Sequence, residues 1–250
     1  MSDRLKNYLQ MIHKDYSIIL PSRGRVKLLR NLFKSIKDNT DNLSRIEVIV
    51  AFDSDDTIDS ALMVFNEFPE IDTKVIIRKR DDDISNMYYN LMARAACGDF
   101  IWGINDDCEI RNKGWDTILD KKISGIPNKI FCLKTYGPGI SFKDILCGFP
   151  IVPKIVAEGF GYFIFPGMFG HKADYYFSNL WSSMGSDRWV DTPEIWLFHY
   201  NDSPGGFVDD THLSMEKTCN KTIVDGHSFP FYPLEQEKIR QLIKKYEGDK

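Results

Sequence analysis

From Tyr16 to Ile104 the chain alternates short apolar runs with stretches whose apolar residues recur at helical spacing, and this alternation restricts the possible folds more than any other feature. Tyr16–Leu20 reads as a strand closed by Pro21-Ser22-Arg23-Gly24-Arg25. Val26–Lys37 follows as a helix with Leu28, Leu29, Leu32, Phe33 and Ile36 at helical spacing. Ile46–Phe52 is a second strand that ends in Asp53-Ser54-Asp55-Asp56, and Thr57–Phe68 reads as a helix with Ile58, Leu62 and Phe65 on one face. Lys74–Ile77 gives a third strand, Ser85–Ala96 a helix and Phe100–Ile104 a fourth strand. Such alternation demands parallel strands joined by right-handed crossovers, so the expected class is α/β with a mainly parallel sheet flanked by helices.

Beyond Trp115 the regularity fades. Lys129–Thr135 reads as a strand, Gly137–Gly170 as short strands and loops, Asp174–Met184 as a helix and Ile195–His199 as a strand. Ser203–Phe231 is loop-like, and Leu234–Tyr246 is an amphipathic helix expected to dock on the core. With 250 residues, no internal repeat and no linker, a single domain is expected: a regular half over about 16–120, an irregular half over about 121–233, and a C-terminal helix over 234–250. Hydrophobic residues (43%) and charged residues (27%) are in ordinary globular balance. A net charge of −4 argues against a protein that holds nucleic acid by neutralising phosphates. The five cysteines are scattered, with no CxxC pair, which suits a reducing compartment. The polar N-terminus is not a signal peptide, and no apolar run approaches a membrane span, so a cytoplasmic location is expected.

The chemistry gathers where strands end. Phe100–Ile104 runs into Asn105-Asp106-Asp107, and acids at the carboxyl end of an α/β strand point into the crevice where such sheets bind ligands. Two adjacent carboxylates are costly to desolvate unless a cation neutralises them, and hard ions such as Mg²⁺ or Mn²⁺ prefer oxygen ligands. The plain alternative is a solvated acidic turn. The loops after the first, second and fourth strands are expected to meet on one sheet edge. In the first, Ser22 is suited to a base or ribose, and Arg23 and Arg25 to phosphate oxygens. Neither a GxGxxG nor a Walker loop is present. In the second, Asp53 is the candidate for a nucleobase or ribose, while Asp55 and Asp56 read as caps of the following helix. In the third, Asp107 would hold the metal and Asp106 would meet the ribose or a metal-bound water.

Together these features resemble the family 2 group of GT-A fold glycosyltransferases. The resemblance is carried by Pro21-Ser22 after the opening strand, Asp53 after the second, Asn90 on a helix, Ala95-Ala96, Gly98-Asp99-Phe100, and Asn105-Asp106-Asp107 in place of the family's DxD. It covers about 16–120 well and departs from the pattern at Asn105. It implies a nucleotide-sugar-binding first half, an acceptor-side second half, a nucleoside-diphosphate sugar donor (a UDP-sugar), and a Mn²⁺ or Mg²⁺ cofactor. Pro21, Ser22, Arg23, Arg25, Asp53, Asn90 and Asp106 would line the donor. Asp107 and His199, which closes the apolar run Ile195–Phe198, would hold the metal, and an imidazole suits Mn²⁺ better than Mg²⁺.

The resemblance assigns the general base to Asp174, although the Glu that precedes it in the family is Ala173 here. An ordinary helix N-terminal acid is the alternative for Asp174, with Asp187, Asp191 and Asp209 as substitute bases. A carboxylate base favours inversion at the anomeric carbon. The acceptor is a glycan or another hydroxyl, with nucleic acid disfavoured by the acidic balance. Two other readings stand beside this one. A nucleotidyltransferase would want a Gly-rich first loop, where only Gly24 is found; a non-catalytic nucleotide-sugar-binding module would accommodate Asn105 and Ala173.

Overall fold

The computed structural model describes residues 13–81, 85–138, 147–166, 171–200 and 232–248. Eight strands form one curled sheet in the order β3-β2-β1-β4-β7-β6-β8-β5. These are β1 (Lys14–Pro21), β2 (Ile46–Asp53), β3 (Asp72–Arg78), β4 (Gly98–Gly103), β5 (Cys108–Ile110), β6 (Cys132–Tyr136), β7 (Ile151–Pro153) and β8 (Trp189–His199). The first four run parallel, with Ile18 opposite both Val48 and Trp102. β7 then runs antiparallel to β4 and β6, and β5 antiparallel to β8. The α/β class expected from the alternation is the one observed.

Helices cover both faces. On one lie α1 (Val26–Asn39), α2 (Ile58–Glu67) and α4 (Trp115–Ser124), packing Leu29, Phe33, Val64 and Trp115 against Ile18, Val50 and Trp102. On the other lie α3 (Asn90–Ala95), α5 (Lys154–Phe160), α6 (His171–Ser182) and α7 (Tyr232–Glu247), whose Met92, Val156, Leu180 and Ile239 meet Ile19, Ile49 and Ile101. Because both faces are covered, β2 is buried along its whole length, as its β-branched run predicts. Gly98 allows β4 to approach β1 closely, since a Cβ there would stand 2.7 Å from the Ser17 backbone nitrogen.

The chain departs from the sequence expectation in its irregular half. Trp115–Ser124 is a helix that begins after Gly114, whose φ of 67° lies in the left-handed region. Lys154–Phe160 is a second unexpected helix, inside the stretch expected to hold only short strands and loops. At seven residues it is too short to display a repeating apolar face beyond Val156, Ala157 and Phe160. The helix expected over Ser85–Ala96 opens as a wider π-type turn, Ser85–Tyr89, before α3. β8 extends well before Ile195. The expected loop over Ser203–Phe231 lies wholly outside the described residues.

At the end of the sheet away from the ligand edge, α7 is fastened by a buried ion pair. Glu247 accepts from Arg188 Nη2 at 2.8 Å and Nη1 at 3.0 Å, and from the backbone N–H groups of Lys129 and Ile130 at 2.8 and 2.9 Å. The Arg188 guanidinium is the main reason that the Glu247 carboxyl is held at about 2. A depressed carboxyl contributes stability that is complete above its unfolded value near 4.5 and is lost as pH falls towards 2. Glu247→Ala is therefore expected to cost about 3 kcal/mol at neutral pH. In denaturant melts the gap from the wild type should close as the pH is lowered through that window.

Candidate active site

In the strand order, the helix that follows β1 goes to one face of the sheet and the helix that leads into β4 lies on the other. Their carboxyl ends therefore open a crevice between diverging helices, the place where α/β sheets bind ligands. Side chains from both sides meet there. Ser22 Oγ, after β1, donates to Asp106 Oδ2, after β4, at 2.8 Å. Arg25 Nη1 donates to Asp106 Oδ1 at 3.0 Å and lies 3.6 Å from Asp107 Oδ2. Asp106 and Asp107 are each only 3% exposed. Burial, opposed by Arg25 and reinforced by the Asp107 charge, pushes the Asp106 carboxyl up to about 6.

Next to this pair lies a candidate metal centre. His199 Nε2 stands 3.1 Å from Asp107 Oδ1. The two residues are brought together because β8 pairs with β5 in a register that sets His199 opposite Cys108, the residue after Asp107. Tyr200 continues that pairing by donating its N–H to the Asp107 carbonyl at 3.0 Å. Asp107, His199 and Cys108 present ligand atoms within 4.8 Å of one another. The carboxylate and imidazole fit a manganese ion; the soft Cys108 sulfur is a donor that a hard ion would leave aside.

The second loop makes a separate polar wall. Asp53 accepts from Arg23 Nη1 at 2.8 Å and from the Tyr88 hydroxyl in a short hydrogen bond. Arg23 also pairs with Asp55 at 2.6 Å, so Asp55 is an ion-pair partner and not the helix cap expected of it. Asp56 does not cap the helix either, whose N-cap is Thr57; it accepts from the adjacent Thr57 N at 2.8 Å and from Gly24 N at 3.0 Å. Arg23 thus faces the Asp53 side of the crevice and Arg25 the Asp106 side. Pro21 ends β1 in register with Ala51.

Asn90, assigned to the donor by resemblance, directs its whole amide to the backbone of 163–164. Its Oδ1 accepts from Phe163 N at 2.7 Å and Ile164 N at 2.8 Å, and its Nδ2 donates to Ile164 O at 2.7 Å. This clamp sets the Phe163 ring beside Gly103, where a Cβ would approach the ring to 2.7 Å. Asp174 lies in the first turn of α6 and is half-buried. Burial is the chief cause of the upward shift of the Tyr89 phenol, and the charges of Asp174, Asp106 and Asp107 add to it. Asp174 therefore shares an electrostatic neighbourhood with the two acids. Asp187 and Asp191 belong to the other end of β8, where Asp187 accepts from Asn128 and Asp191 from Tyr136. Asp209 lies outside the described residues.

The sequence reading overlooked Tyr88, Tyr89 and Cys108. The Tyr89 hydroxyl lies 2.8 Å from both Ile104 O and Asn105 Oδ1 and shares its one proton between them, fixing the loop that carries the acids. Two adjacent tyrosines just before the Asn90 helix were the available signal, although only the wide turn shows that each reaches a different loop.

The raised Asp106 carboxyl has a direct consequence. Between about pH 4 and 6 the folded protein holds a proton that the unfolded chain has released, so this group makes stability fall as pH rises. Asp106→Asn is expected to raise the stability above pH 6 by on the order of 1–3 kcal/mol, seen as a higher Tm, with the gain vanishing below about pH 4. A pH series of thermal melts checks both the sign and the window.

Several solved structures share this architecture. S. aureus TarS 1-349 in complex with UDP-GlcNAc matches with a TM-score of 0.61 and 14% identity, over 93% of this chain and 73% of that one. The mannosyltransferase PcManGT from Pyrobaculum calidifontis, in complex with GDP-Man and Mn²⁺, matches with a TM-score of 0.59 and 13% identity, over 99% of this chain and 81% of that one. No curated protein matches the chain. Residues 17–145, slightly more than half of the sequence, match the family described as "Glycosyl transferase family 2". With its GT-A fold and its strand-end acids, the chain belongs to glycosyl transferase family 2.

Proposed function

We propose that this glycosyltransferase moves a sugar from a nucleoside-diphosphate donor, a UDP-sugar, to an acceptor hydroxyl with inversion, and that it does so with Mn²⁺ or Mg²⁺. The observation that carries the reading is the buried approach of Asp107 and His199, 3.1 Å apart, at the crevice between β1 and β4. These two side chains would hold the ion. When bound, it supplies Lewis-acid neutralisation of the diphosphate leaving group.

The chain's own groups take the other roles. Asp53, braced by Arg23 and Tyr88, offers an acceptor for a base imide or ribose hydroxyl. Ser22 and Arg25 already engage Asp106, and Arg25, beside both acids, is a cation available to a diphosphate there. Asp174 takes the proton of the acceptor hydroxyl as its oxygen bonds to the anomeric carbon, while the bond from that carbon to the diphosphate oxygen breaks on the opposite side. The proximity of Asp174 to Tyr89, and through it to the Asn105–Asp107 loop, supports this role. UDP-GlcNAc in TarS and GDP-Man with Mn²⁺ in PcManGT make both nucleotides the first to try.

The test is release of nucleoside diphosphate from a panel of UDP- and GDP-sugars in the presence of Mn²⁺. Asp174→Asn should lower kcat roughly 100- to 10,000-fold with donor affinity intact. His199→Ala should instead weaken metal-dependent donor binding. Donor binding by the wild type without any turnover would favour the non-catalytic module.

A further inference from the structure

The strand that ends a sheet offers a row of backbone groups to any further strand, and here that strand is β3. It pairs with β2 without interruption from Asp72 to Arg78, and among the described residues no strand covers its other edge. The devices that usually blunt such an edge are missing. β3 holds no proline and no bulge, and its Lys74 turns the ammonium inward to the buried Glu47, 2.6 Å away. One face of the edge is apolar. Val75 lies beside Val50 and Ile77 beside Phe52, on the face that α2 covers, yet they are 37% and 56% exposed. Leu62 of α2, 41% exposed, is on the flank turned towards this edge. It stands roughly 140° around the helix from Glu67, which Arg30 of α1 holds on the inner flank. With Met63, these make four of the seven large hydrophobic side chains exposed among the described residues.

We propose that β3 is a dimer interface, pairing antiparallel with β3 of a second copy about a two-fold axis at Val75; the proposal is independent of the glycosyl-transfer reading. Charge complementarity selects both the occupant and the register. Centred on Val75, the pairing sets Asp72 opposite the partner's Arg78, Thr73 opposite the partner's Ile77, Lys74 opposite the partner's Ile76, and Val75 opposite itself. Every opposed pair is then opposite in charge or uncharged on one side. Moving the axis by one residue brings like charges face to face, Lys74 against Lys74 in one direction and Lys74 against Arg78 in the other. Asp72 and Arg78 also have neighbours in their own chain, Lys14 at 3.1 Å and Asp81 at 3.8 Å. Exposed ion pairs contribute little energy, so the charges fix the register while the covered apolar side chains supply the attraction. In this register α2 of both copies lies on the same face of the joined sheet. Leu62, Val75 and Ile77 of the two copies therefore form one strip across the axis. The pairing is closed, because each copy uses the free β3 edge of the other.

Sedimentation equilibrium of the full chain tests the interface, and cysteine cross-linking tests the register. The wild type should sediment at twice the 29.0 kDa chain mass, and Val75→Lys, which sets two ammonium groups face to face on the axis, should sediment as a monomer. The cross-linking variants are made in a Cys97→Ser background, since Cys97 is exposed. Directly opposed residues have Cα atoms about 4.5–5.5 Å apart, within disulfide reach, so Val75→Cys should form a covalent dimer when diamide accepts the two thiol hydrogens. Ile77→Cys should not, because its copies lie roughly 13 Å apart along the strands. Both variants keep the remaining cysteines, so only the difference between them is read. A wild type that stays monomeric would overturn the proposal, as would a dimer that Val75→Lys leaves intact. Cross-linking of Ile77→Cys in place of Val75→Cys would overturn the register.

Discussion

Two adjacent carboxylates buried at the end of a strand are an electrostatic problem, and much of the surrounding architecture bears on it. Asp106 and Asp107 are each nearly inaccessible to water. Partial compensation comes from Arg25, from the Ser22 hydroxyl and from the His199 ring. That compensation is incomplete, because burial still holds the Asp106 carboxyl up near 6. A site that leaves negative charge under-neutralised is disposed towards cations, which is the physical link between the fold and metal-assisted chemistry.

The parts that meet there come from distant stretches of sequence. Ser22 and Arg25 follow β1, the acids follow β4, and His199 ends β8. The parallel pairing of β1 with β4 brings the first two together, and the antiparallel pairing of β5 with β8 delivers the third. Asn90 then links α3 to the 163–164 backbone, so the regular and irregular halves share one wall of the crevice. At the other end of the sheet, Arg188 and Glu247 fix the final helix.

The regular half was legible because its signals are local. β-branched runs such as Ile46-Glu47-Val48-Ile49-Val50 and the apolar face of α1 each encode an element within a few residues, and strand-end acids mark the ligand edge. The meeting of Ser22 with Asp106 at the strand ends followed from that. What stayed hidden depends on long-range geometry. The commitment of Asn90 to the 163–164 backbone and the pairing of Arg23 with Asp55 are set by where loops fall after folding. α5 is too short to show a period, and Tyr88 and Tyr89 diverge only because the turn that carries them is wider than an α-helix. Cys108 was invisible as a neighbour of His199 until the β5–β8 register was known.

The central claim is that Asp107 and His199 form a cation site that completes a nucleotide pocket. Calorimetric titration of the purified protein with UDP, with and without Mn²⁺, compared between wild type and Asp107→Ala, tests it most directly. The account predicts UDP binding that requires both Mn²⁺ and Asp107. Binding of equal strength without the metal, or unchanged in Asp107→Ala, would contradict it.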